Sequence, residues 1–505
     1  MMSTVSALGI VLAGVVVHRY YTFSKTRSKL KAIPTVGSDN FVTAYLSAWR
    51  FFLHAPDMVQ EGYDKYYGNA FKVPTLETSS GWMVIVSGEK MIEELKNAPN
   101  SELDHYEATK ELLQLDYTFG KYAHRGTYHN DVIRTGFTRA LAPRYSDICD
   151  ELVESFDTIV PRGKDWVPVP LMDALVSIIC RVSNRLMVGA PLCRDPEFQA
   201  IQTEFAMHVM LSAGIVHLCP SPFKPFVGSM VSKVPHTIKR LHNFLGAVVD
   251  ERLKREAELG KRWEGRPNDM ISWLLDHAPA EYADTEDIVH RIMIISFAAV
   301  HTTASMLTNS ILQLAAHSEY VEPLRLEIEK SVEDRGWSKE ALAQMRKLDS
   351  FVRESARLSG LNCVSAIRKA KSDFTFSNGV TIPAGVTVAA ASYATHRDFG
   401  IYEDALSFKG FRFSDLRENG TDEMDWLRYQ FVNTQHNYLP FGHGKHACPG
   451  RFVAATQIKT AMAHILLNYD LKLPDGQVNP PDGEWFGTQR VVSSKAQILF
   501  RQRHV

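Results

Sequence analysis

The densest chemistry in the 505-residue chain lies in one run: Pro440-Phe441-Gly442-His443-Gly444-Lys445-His446-Ala447-Cys448-Pro449-Gly450-Arg451-Phe452-Val453-Ala454. Glycines at 442, 444 and 450 mark a loop, and Arg451 to Asn468 contains neither Gly nor Pro, the pattern of an apolar helix. Cys448 therefore stands just before a helix N-terminus, where unpaired amides and the positive dipole end stabilise a thiolate. Gly444 and Gly450 have no Cβ, which lets backbone approach a large flat group. Lys445 and His446 put donors beside it. One thiolate, with no second cysteine nearby, is wrong for tetrahedral zinc and suits a single axial sulfur on haem iron. The plain alternative is a buried cysteine capping a helix.

A second constellation lies upstream. Ile288 to His317 has no Pro or Gly and follows Asp284-Thr285-Glu286-Asp287, a helix start. At about 1.5 Å per residue such a helix runs roughly 45 Å, across a whole domain. Its flanks are bulky, yet its centre is Ala298-Ala299-Val300-His301-Thr302-Thr303. Small residues there leave room for a flat cofactor and a substrate, while two hydroxyls and an imidazole need partners. Without the cysteine loop, back-bonded threonines and a core-satisfied histidine would explain them. Further on, Asp349 to Leu358 is predicted as a helix capped by Asp349 or Ser350, with Glu354 and Arg357 on one face.

These groups need a large scaffold, and the composition provides one. The chain is 45% hydrophobic and 22% charged, which excludes disorder. With 56 basic and 57 acidic side chains, a formal charge of −1 gives no bulk reason to expect nucleic-acid binding. Six scattered cysteines, none in a C-x-x-C pair, describe neither a disulfide scaffold nor a zinc site. Phe71 to Leu76 and Trp82 to Val86 read as a hairpin. Met91 to Asn97, Asp131 to Ala142, Ser146 to Ile159 and Leu171 to Val188 repeat apolar residues at helical spacing. Phe374 to Phe376, Val380 to Ile382 and Thr387 to Ala390 look like short strands. Pro220 to Phe226 breaks a helix and offers two aromatics to ligand or membrane; Arg252 to Arg266 reads as solvated surface.

The first 20 residues are expected to form a membrane anchor, the plain alternative being a buried N-terminal helix. Val5 to Val17 is almost uninterruptedly apolar, though shorter than the usual span of about 20 residues. Arg19, Lys25, Arg27, Lys29 and Lys31 follow, so the N-terminus faces the lumen of the endoplasmic reticulum and the rest the cytosol. A basic, proline-containing linker (21–40) and a catalytic region (41–505) complete the expected order. The sequon Asn419-Gly420-Thr421 is then on the wrong side for glycosylation.

The cysteine loop resembles that of the cytochrome P-450 superfamily, F-x-x-G-x-[R/H]-x-C-x-G, matched at Phe441, Gly444, His446, Cys448 and Gly450. The resemblance implies a mainly α fold with a small β region, haem b between the long central helix and the loop, and Cys448 as axial ligand. His446 stands where most members have an arginine that donates to a haem propionate. Arg368 resembles the propionate-binding arginine, and His129 the first residue of a Trp-x-x-x-Arg pair whose arginine slot is Ile133. Glu354, Arg357 and Arg412 would be the buried ion triad that supports the loop, with Gly410 and Phe411 where proline and glutamate are usual. In the pattern [A/G]-G-x-[D/E]-T-[T/S], Ala299 fills the glycine slot, His301 the acid slot and Thr302 that of the threonine that helps protonate dioxygen.

The implied activity is monooxygenation with O2 and electrons from an NADPH-dependent reductase. Ile294, Ala298 and Ala299, with Val364 and Phe486 in the pocket segments Cys363 to Ala366 and Phe486 to Thr488, imply an apolar small-molecule substrate. Similarity to fungal ent-kaurene-oxidase-like enzymes points to a terpenoid. The alternatives are a haem-thiolate isomerase or dehydratase that needs no reductase, and a non-enzymatic haem sensor.

Overall fold

The computed structural model describes residues 14, 17, 20–161, 163–420, 424–493 and 495–503. The apolar run Val5 to Val17 lies outside the described residues except for Gly14 and Val17, as does Thr421 of the sequon.

The helix expected from Ile288 is Thr285–Ala316, opened by Asp284, whose carboxylate accepts from the Asp287 amide at 2.7 Å. Being apolar on nearly every side, it has to be enclosed. It packs against Leu171–Met187, Pro196–Leu218, Val234–Leu259, Arg346–Leu358 and Arg451–Asn468. Their buried faces merge into the main hydrophobic core, which includes Ile178, Val182, Ile292, Leu307, Ile311, Ile458 and Ile465. The helix has the length and hydropathy of a membrane span, but it is the core helix here, with 61% of its most apolar window buried.

The β region lies to one side. Ala70–Pro74 and Trp82–Val86 form the expected hairpin, and Trp82–Val86 continues parallel to Thr387–Ala390. Ser365–Ala370 pairs antiparallel with Thr387–Ala390 and with Leu103–Asp104, closing a five-stranded sheet. The register slips between Ser365 and Arg368, where Ala366 takes the left-handed φ of 52°. This bulge re-aims the strand that carries Arg368.

Three local readings are corrected. The helix with Glu354 starts at Arg346, so neither Asp349 nor Ser350 caps it. Asp349 is instead a buried acceptor for Arg417, Lys459 at 3.2 Å and the Phe431 amide at 2.9 Å. Arg252 to Arg266 is more than solvated surface: Arg252 is buried against Asp269 and Ser272, and Arg266 bridges Glu256 and Asp276. Third, the helix expected over Asp131 to Ala142 begins at Tyr128 and contains a π turn, Ile133–Phe137.

Candidate active site

Cys448 is placed as its spacing predicts, separated from helix Arg451–Asn468 by Pro449 and the N-cap Gly450. Its amide donates to the Phe441 carbonyl at 2.8 Å, closing the loop. Burial raises the thiol pKa, while the amides of Gly450 and Arg451 and the cations of Arg451 and Arg134 oppose that rise. Phe441 is buried and meets Phe431 at 5.1 Å between ring centroids. The loop is pinned from outside by the end of helix Glu89–Asn97. His443 Nε2 lies 2.7 Å from Glu93, Lys445 donates to the Ala98 carbonyl at 2.9 Å, and Arg134 donates to the Lys445 carbonyl at 2.8 Å.

The two glycines read as clearance for a flat group have different reasons. Gly444 has a φ of +71°, and a Cβ there would stand 2.3 Å from Lys96 Cγ, so it is required by helix packing. A Cβ on Gly450 would meet only Ile133, at 3.9 Å, and this one leaves open room.

Behind the loop, Glu354 receives Arg357 in a fork at 2.7 and 2.8 Å, Arg412 Nε at 3.1 Å and the Lys409 amide at 3.1 Å. Arg357 goes on to the carbonyls of His396 and Ala405, and Arg412 to Glu403. The three triad residues are thus brought together, and Glu354 and Arg357 are fully buried. Gly410 is explained by packing, since a Cβ there would lie 2.8 Å from Phe351 and 2.9 Å from Tyr320.

In front of the loop the polar groups are left incomplete. Arg368 is buried, and burial lowers its pKa to about 10. Nη1 donates to the Ile367 carbonyl at 2.9 Å, whereas Nε and Nη2 have no hydrogen-bond partner among the described residues. His446 Nε2 lies 2.7 Å from Asn100, and its ring centroid is 5.3 Å from that of His105, whose Nδ1 faces the Ile367 carbonyl at 3.1 Å. His105 and Asn100 were not legible from spacing, because they join the site only through the packing of Leu103–Asp104 on the sheet. His129 sits at the start of its helix with Nδ1 at 3.1 Å from Arg291.

On the central helix, every residue from Asp287 to Ala316 is buried or half-buried except Ala298 and Thr302. These two and half-buried Ile294 form an i, i+4 stripe facing open space, with half-buried Ala299 three residues before Thr302 beside it. Thr302 donates to the Ala298 carbonyl at 2.7 Å. His301 turns to another face, 3.3 Å from the Thr203 carbonyl on helix Pro196–Leu218, and burial lowers its pKa. Val364 is buried and Phe486 exposed; the Cys363 amide ties the two segments by donating to the Thr488 carbonyl at 2.9 Å.

This arrangement fits haem. It offers a cysteine at a helix start, a buried arginine with two orphaned donors for a carboxylate, and an open stripe on a helix otherwise closed.

Comparison with known proteins agrees. Residues 46–500 match the family model described as Cytochrome P450. Cytochrome P450 monooxygenase 103 of Postia placenta is 37% identical over 491 residues, covering 97% of each chain. Cytochrome P450 monooxygenase CYP512U6 of Ganoderma lucidum is 32% identical over 482 residues, 95% of this chain and 92% of its own. The solved structure of retinoic acid bound cyanobacterial CYP120A1 superposes with a TM-score of 0.67 at 19% identity, covering 93% of this chain and 98% of that one. The fold, the haem with its cysteine thiolate and the monooxygenase class follow together: the chain belongs to the cytochrome P450 superfamily.

Proposed function

We propose that the chain is a membrane-tethered monooxygenase that places one oxygen atom from O2 on a bulky apolar molecule of the terpenoid class, with electrons from an NADPH-dependent reductase. The stripe Ile294, Ala298, Ala299 and Thr302 carries this reading: it is small and apolar, offers a single hydroxyl and holds no charge. Exposed Phe486 offers further apolar surface, while Val364 is buried in the core beside the sheet.

Haem bound here supplies the binding and activation of O2, aided by electron density from a thiolate ligand. The chain's residues do the rest. The Gly450 and Arg451 amides and the Arg451 cation favour the ionised Cys448 Sγ. Arg368, with His446 and His129, orients the haem through its carboxylates. Glu354, Arg357 and Arg412 hold the segment that backs the loop. Thr302, its own proton committed to Ala298, presents Oγ1 lone pairs to a water and holds the delivered proton there. His301 donates from Nε2 to Thr203, which leaves Nδ1 as the atom for any relay.

Attachment to the endoplasmic reticulum membrane, with the catalytic region cytosolic, is supported by the run Val5 to Val17 and its trailing cations. Exposed Leu46, Trp49 and Leu53 on one helix face, together with Phe226 and Met230, supply apolar surface for the same membrane. The test is turnover with reductase, NADPH and a panel of di- and triterpenoids, read by mass spectrometry. Products heavier by one oxygen support the proposal. Turnover without NADPH, or spectral binding of polar amines only, overturns it.

A further inference from the structure

Asp287 and Arg291 lie one turn apart on the central helix, both fully buried, with Arg291 Nε 3.2 Å from Asp287 Oδ2. The guanidinium reaches across to the segment before helix Tyr128–Val132. Nη2 donates to the Arg125 carbonyl at 2.8 Å and Nη1 to the Gly126 carbonyl at 2.9 Å. The Tyr128 ring lies beneath it at 4.7 Å, and the Tyr128 hydroxyl returns to Asp287 at 2.6 Å.

One contact differs in kind. Arg291 Nη1 also donates to Nδ1 of His129 at 3.1 Å. A guanidinium is donor only and keeps its protons, so Nδ1 has to present its lone pair and the ring proton has to sit on Nε2. Burial and the neighbouring guanidinium push the His129 pKa down to about 3, which keeps the ring neutral. Nε2 has no hydrogen-bond partner among the described residues. Four residues on, where a second cation would reach the same place, stands Ile133.

We infer that Arg291 is a positioning residue for the haem, locking His129 as the Nε2–H tautomer and aiming that neutral N–H at a haem carboxylate. The inference rests on the reading of His129 as a propionate contact. It gives this chain a charge that acts on the cofactor through an imidazole, from the helix that also carries Thr302. Asp287 in turn anchors Arg291, so the ion pair ties the central helix to the haem's edge.

The test uses the full chain reconstituted with haem or with haem dimethyl ester, whose carboxylates are capped, and reads haem loss to an acceptor protein. His129→Leu is expected to speed haem loss about tenfold, the scale of one charge-assisted hydrogen bond, and to have no effect with the ester. His129→Gln, which can accept from Arg291 and still donate outward, should restore most of the retention. Arg291→Met should match His129→Leu, and the double variant should be no worse than either single one. If His129→Leu is silent, or acts equally with the ester, the propionate reading falls. If it acts only with haem but the two substitutions multiply, that reading stands and the role of Arg291 falls. Should Arg291→Met fail to fold, 15N histidine NMR of the wild-type carbon-monoxide complex decides. The signal lost in His129→Gln is expected to show protonated Nε2 and bare Nδ1; the opposite tautomer overturns the inference.

Discussion

Behind the cysteine loop, Glu354 takes a fork from Arg357 and two further donors, the Lys409 amide and Arg412, and each arginine of the triad continues to backbone carbonyls. In front of it, Arg368 is as deeply buried, yet two of its nitrogens have no hydrogen-bond partner among the described residues, and none of the hydrogen bonds there engages His129 Nε2. The same residue type thus meets two fates within one site. Burying an unpaired guanidinium donor costs free energy, and the chain accepts that cost on the side where an anionic cofactor edge can repay it. Saturated charge builds the scaffold; incomplete charge waits for the ligand.

The largest effect that follows is on the saturated side. Glu354→Gln breaks a fully buried pair, a loss of about 3–5 kcal/mol, so the protein should be recovered without haem, as read by its Soret absorbance per polypeptide. Holoprotein at normal yield would break the comparison. Next is Thr302→Ala on the open stripe. Product formed per NADPH consumed should fall by about 10²-fold while haem content stays unchanged. Arg368→Leu should leave the polypeptide folded and weaken haem retention by about 2 kcal/mol, read by transfer to an acceptor protein.

His464 shows where the contrast has an exception. It is buried against Phe156 at 4.9 Å, with no hydrogen-bond partner for Nε2 among the described residues, yet it sits within helix Arg451–Asn468. Burial lowers its pKa to about 4, so the unfolded chain binds its proton first as pH falls below about 6.5. Stability should therefore drop by about 1.4 kcal/mol per pH unit between those values, and His464→Phe should remove that slope from a denaturation series. An unchanged slope would mean that the ring is hydrated.

What the sequence made legible was local. Cys448, its glycines and the helix that follows lie within one short run, and the small centre of Thr285–Ala316 stands out against bulky flanks. Glu354 and Arg357 share a face by spacing alone, and Arg412 joined them through family resemblance. What stayed hidden depends on distant segments. Gly444 is needed by Lys96, Gly410 by Phe351 and Tyr320, and Asp349 serves Arg417 and Lys459 in place of a helix cap. The π turn at Ile133–Phe137 leaves no period that distinguishes it from an α-helix of that length. His105, Asn100 and Arg291 reach the site only once sheet and helices pack, and no spacing announces them.

The bond between Cys448 and iron is the feature on which every other role depends. The reduced, carbon-monoxide-bound protein is predicted to show the red-shifted Soret band of thiolate ligation, and Cys448→Ser is predicted to lose it. A wild-type band at the position typical of histidine ligation, or a serine variant that keeps the red-shifted band, would contradict the account at its base.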